Sequence, residues 1–317
     1  MSVLRSLRTI SQAGGTEPVD WDAVNRAARE AIDPGTLDLS ESTRAGYRHD
    51  VQDARAAVRD TAKLTFDVPR VVQIQNRHHW MDANVETFER LMRPIADRQV
   101  VVVPGAARVV NTGTMTMVLA FLGRNVLGQY DPLLLADEDG HELYFVHPNI
   151  VHTAEELELP FDRFRRWIAF HEVTHAAEFG AAPWLPDRLE YHLKEGLDAL
   201  ATGTLDRDAF RELDATMTAV EGYAEWLMDE AFDREYRDLR RKLDERRRRP
   251  GPVGYLVRRF LGLGIKRRQY ERGKAFFDAV AAERGVLAAG AVWTSPEHLP
   301  RWSEFDSPSQ WLDRVDP

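Results

Sequence analysis

The chain has 317 residues, 44% of them hydrophobic, which is enough for a substantial core in one large domain or two closely packed lobes. It contains no cysteine, so disulfides, thiolate metal sites and cysteine nucleophiles are excluded. A net charge of -9 and a pI near 5.6 argue against nucleic-acid binding, and no apolar run is long enough to predict a membrane helix.

Met1 to Ile10 lacks the apolar centre of a signal peptide, so a cytoplasmic location is expected. Helix signals then dominate. Asp20 is placed to cap a short helix opening at Pro18 to Asn25. Ser40 to Lys63 alternates acids and arginines and predicts an exposed helix, and Asn84 to Ala96 continues the pattern. Asn111 to Leu127 is largely apolar but holds Arg124, which predicts a core helix rather than a membrane span. Glu142 to Val146 is the clearest strand, and it could form the edge along which a substrate backbone lies or simply pack in the core. Phe161 to Phe179 reads as a helix, with Pro160 before it and Gly180 as its C-terminal cap. Between Asp233 and Lys274 the chain is highly charged. Arg246 to Arg249, followed by Pro250-Gly251-Pro252, predicts a solvated helix end and a loop.

The helix from Phe161 carries His171-Glu172-Val173-Thr174-His175, an H-E-x-x-H pattern. Histidines four apart share one helical face, so both imidazoles can reach one metal ion. Phe164, Trp167 and Ile168 recur at helical spacing, and His171 and His175 continue that row toward the interior. The metal expected for this pattern is one zinc ion per chain. Glu172 follows the first histidine and is expected to act as general base on a zinc-bound water. That chemistry predicts a hydrolase acting on a peptide or another amide.

A third ligand is needed. Position 178 is Glu and position 181 is Ala, which excludes a third histidine at the metzincin spacing. A carboxylate from a later helix remains. Val220, Ala224, Leu227 and Met228 form an apolar stripe bordered by Glu221 and Glu225. Glu221 is the expected ligand, with Glu225 accepting the other ring N–H of a ligand histidine; the two roles could be exchanged. His192 is an alternative third ligand, or a fourth in a closed, non-catalytic site. Tyr223, Tyr191 and His192 are candidate donors to a developing oxyanion, each competing with a plain packing or surface role.

Phe164 to His175 closely resembles the zincin-like type 2 metallopeptidases. Gly128-Gln129-Tyr130-Asp131, Pro183-Trp184-Leu185, Glu221-Gly222-Tyr223, Gln269-Tyr270, Gly273, Phe276 and Val292 to Glu297 match the same family. The likeness runs from about Val71 onward, and residues 1–70 are expected to form an N-terminal helical segment packed on a main domain of residues 71–317. The resemblance implies a mainly α fold, a single large helical domain with a short β element near the site, one zinc and a hydrolase activity. The sequence looks like the branch that accompanies coenzyme F420 biosynthesis. A non-catalytic zinc-binding or partner-binding role in F420 metabolism is the alternative that this implies.

Overall fold

A computed structural model describes residues 3–15, 17–67, 71–98, 104–131, 142–201, 207–232, 236, 238–242 and 266–317. The fold is mainly α. In chain order the elements are α1 (Val3–Ser11), α2 (Trp21–Ala31), α3 (Glu41–Ala62), β1 (Val71–Gln75), α4 (Arg77–Arg98), α5 (Pro104–Asn125), β2 (Gly128–Asp131), β3 (Glu142–Val146) and α6 (His147–Glu156). They continue with α7 (Phe161–Ala181), α8 (Leu185–Ala201), α9 (Arg207–Ala231), α10 (Lys266–Arg284), α11 (Val286–Gly290) and α12 (Pro308–Val315). The arginine run at 246–249 and the Pro-Gly-Pro stop lie outside the described residues. Among the described residues no helix is long and apolar enough to cross a membrane.

Helix α7 is the axis of the main core. Phe164, Ile168, Phe170, Val173, Ala176 and Ala177 are all buried, with α3 on one side and α9 on another. Helix α3 starts where its cap dictates, with the Ser40 hydroxyl accepting the Thr43 N–H. It is not the exposed helix its charges suggest. Tyr47, Asp50, Val51, Ala54 and Val58 are buried against α7, and one of the charges, Asp50, is used inside. Arg165 donates to Asp50 at 2.6 Å and also to Asp162 at 2.7 Å, with its guanidinium over the Tyr47 and Phe161 rings. It passes so close to α3 that a Cβ on Gly46 would stand 2.5 Å from the guanidinium carbon. An arginine aligned by two acids and an absent side chain fixes the N-terminal half of α7 in place.

Gly180 is not a cap. The helix runs on to Ala181, and a Cβ at Gly180 would meet the Phe66 side chain at 2.9 Å. Its small size admits Phe66 to the core rather than ending the helix. Helices α9 and α10 cross at a glycine pair, where a Cβ on Gly222 would lie 2.3 Å from the Gly273 Cα. Backbones can approach this closely only without side chains between them.

The sheet has order β1-β3-β2, with β1 parallel and β2 antiparallel to β3. Leu143 to Val146 therefore belongs to the central strand, paired on both sides, and cannot be an edge for substrate. The edge beside α7 is β2. Leu127 O accepts the Val146 N–H at 2.9 Å, so by alternation Gly128 and Tyr130 turn their backbone groups away from β3. A second, smaller core joins α2, α4 and α5 around Trp80, Met81 and Leu119.

Candidate metal centre

Helix α7 presents His171, Glu172, His175 and Glu178, and α9 presents Glu221 from across the core. The Nε2 atoms of His171 and His175 are 3.2 Å apart, and one ligand atom from each of His171, His175 and Glu221 lies within 4.8 Å of the others. Two nitrogens bound to one tetrahedral zinc at about 2.1 Å would stand about 3.4 Å apart, so the imidazole pair fits that ion. The His171 ring is stacked on Trp167, its plane tilted by 5° and its centroid 5.7 Å away, which restricts its rotation. Among the described residues this is the group of histidines and acids with metal-holding geometry.

The charge around the pair also fits a cation. Burial alone would lower the His175 pKa, but Glu178 first, then Glu221 and Glu172, reverse this and raise it to about 9. Burial pushes the Glu178 carboxyl up, to about 7, against the pull of His175. Three carboxylates converging on half-buried imidazoles favour positive charge there, and a divalent ion between the ligand atoms would supply it.

Glu172 is buried, and its Oε2 accepts the outward N–H of Tyr130 on β2 at 2.9 Å. A Cβ at Gly128 would lie 2.7 Å from Glu172 Oε1, so only glycine lets the carboxylate sit against the strand. This link between β2 and the site was not anticipated from sequence.

The remaining candidates fall elsewhere. Glu225 is buried in an ion pair with Arg240 at 2.6 Å, and Arg240 also bonds Asp229. The carboxylate on His175 Nδ1 is Glu178, at 2.8 Å, from the same helix. Glu225 therefore does not take the role expected of it on His175, because an arginine claims it. Tyr223 is wholly buried, ringed by Trp226, Phe277 and Trp293 with centroids 5.1 to 5.3 Å away. Burial raises its phenol pKa above the usual range, with the charge of Glu178 adding to the effect. A side chain packed in this way holds α9 against the C-terminal turns. His192 and Tyr191 lie on α8. Tyr191 is exposed and donates to Glu195 at 2.7 Å, and His192 is not part of the metal-capable group. His78 Nε2 sits 3.0 Å from Ile32 O, and His147 Nδ1 sits 3.0 Å from the Tyr47 hydroxyl, so both serve packing.

Sequence reasoning met Glu178 only as the residue that breaks a metzincin spacing. Its signal was present: an acid three residues after His175, on the same helical face, in a stretch otherwise made of Ala176, Ala177 and Phe179.

Fold and site together define a mainly helical protein with a two-histidine, one-carboxylate cluster of metal-binding geometry. A 30% identical crystal structure from Chloroflexus aurantiacus, of a protein to which a hydrolase function has been ascribed and whose fold was described as novel, matches with a TM-score of 0.79. The match covers 94% of this chain and 99% of that one. No curated protein matches the sequence. The zincin-like metallopeptidase family model matches residues 19–206 and 190–312, and the chain belongs to that family.

Proposed function

We propose that the protein is a zinc-dependent hydrolase, acting on a peptide or related amide, with His171, His175 and Glu221 as ligands. The observation that carries this reading is the 3.2 Å separation of the two Nε2 atoms with the Glu221 carboxylate within ligand range. When bound, zinc would supply a water acidified to a pKa of about 7 and a Lewis acid for the substrate carbonyl. With His171, His175 and Glu221 as its protein ligands, a bound zinc would keep room for that water.

Glu172 is the general base in this reading. The Tyr130 N–H holds one carboxylate oxygen, which orients the group. Oε1, the atom beside Gly128, is then the one assigned to take the proton and pass it to the leaving amine.

Metal analysis of the wild type, Glu221→Ala and Glu225→Ala tests the ligand set. One zinc per chain, lost in Glu221→Ala and kept in Glu225→Ala, is the expected result, and the reverse pattern would exchange the two acids. Glu172→Gln should keep its zinc and lose turnover of an amide library by about 10²- to 10⁴-fold. Zinc without turnover in the wild type as well would leave a non-catalytic zinc protein. The association with coenzyme F420 rests on the resemblance, and an unchanged F420 spectrum on titration would remove direct binding.

A further inference from the structure

We infer that Glu178 is the positioning residue of this metal centre, turning the His175 ring so that Nε2 is the atom offered to the ion. The inference rests on the zinc reading above and assigns to Glu178 a role given to no residue by the family match. His175 Nδ1 and Glu178 Oε2 are 2.8 Å apart, and Glu178 is wholly buried. A carboxylate accepts, so Nδ1 carries the proton and the lone pair falls on Nε2. Nε2 is also the atom that lies 3.2 Å from His171 Nε2. The contact thus selects the tautomer that faces the cluster, and the negative charge behind the ring makes it a better electron donor.

Packing alone does not account for this acid. Its other oxygen, Oε1, is buried without a hydrogen-bond partner among the described residues. The His175 ring is thus the group this carboxylate serves among the described residues. Nor can solvent or Glu225 replace it, since the site is closed at Glu178 and Arg240 holds Glu225.

The test is a zinc competition titration against a chromophoric chelator on the full chain, comparing wild type, Glu178→Gln and Glu178→Ala. Thermal melting of each metal-free protein is measured alongside. Glu178→Ala is expected to bind zinc about 10- to 100-fold more weakly. Glu178→Gln, whose amide oxygen still accepts the Nδ1 proton, should lose about three- to tenfold. The His175 Nδ1–H resonance of the zinc-loaded protein should resist exchange in wild type and exchange freely in Glu178→Ala. If the alanine variant does not fold, the glutamine variant decides. Affinities within about twofold of a zinc-binding wild type would overturn the role of Glu178 and leave the metal centre standing. A wild type that takes up no zinc would overturn both.

Discussion

Two buried glutamates, Glu178 beside the metal centre and Glu304 near the C-terminus, are almost equally hidden, at 0% and 3% exposure, yet their carboxyls are driven in opposite directions. Burial alone would raise both. At Glu304 the Arg314 guanidinium, at 2.7 and 2.8 Å, and the Arg301 N–H, at 2.8 Å, outweigh it and hold the carboxyl below the usual range. At Glu178 a single imidazole faces one oxygen, and the carboxyl rises to about 7. Stronger desolvation, the nearby charge of Glu221 and the single donor together raise Glu178, whereas at Glu304 the donors outweigh burial. Glu304 is a clamp: Arg314 also bonds the carbonyls of Glu297 and Leu299, tying α12 to the preceding turns. Glu178 has the His175 ring as its hydrogen-bond partner, and its charge acts on that ring.

That contrast can be broken first at the clamp. Glu304→Ala should lower unfolding free energy by about 3 kcal/mol, since it strands a guanidinium and an N–H, without changing metal content. The partial exposure of Arg314 keeps the loss at the lower end of the range for buried pairs. Because the folded carboxyl is depressed, its contribution is full above the unfolded value of about 4.3 and fades as pH falls through the folded value. Chemical denaturation between about pH 5 and 2 should therefore show a shallower acid slope in Glu304→Gln than in wild type. An identical slope would remove Glu304 from the account of acid stability.

A smaller effect is expected at the helix crossing that carries Glu221. Gly273→Ala would place a Cβ 2.2 Å from Thr218 O and 2.7 Å from Gly222 Cα. Forcing α9 and α10 apart should cost about 2 kcal/mol and weaken zinc binding, because Glu221 precedes Gly222. Unfolding curves and metal titration would separate the two consequences, and wild-type values in both would show that the crossing has slack. The smallest change belongs to Tyr223→Phe. Its ring packs and its hydroxyl is buried, so stability should move by less than about 1 kcal/mol and turnover by less than about twofold. A large loss of turnover with stability intact would return Tyr223 to the catalytic machinery.

The parts of the fold that were legible in the sequence were those whose signal is local. Asp20 and Ser40 cap the helices that follow them, and the strand at Glu142 to Val146 falls where its aromatic and branched residues place it. The His171–His175 row reads from helical periodicity alone. What stayed hidden depends on partners far along the chain. The charges of α3 look solvated until Arg165 meets Asp50, and Glu225 looks like a ligand partner until Arg240 claims it. Gly180 is punctuation in sequence and a slot for Phe66 in space. Strands β1 and β2 are short and polar in part, and only pairing with β3 makes them strands.

The bond between Tyr130 N–H and Glu172 also ties catalysis to folding. It is buried where β2 packs on α7, and a buried N–H left without an acceptor is costly. Here the acceptor is the carboxylate assigned to catalysis. Replacing Glu172 with a small apolar residue would silence the site and also strand that N–H, so glutamine, whose amide oxygen can still accept it, is the safer substitution for studying an inactive form.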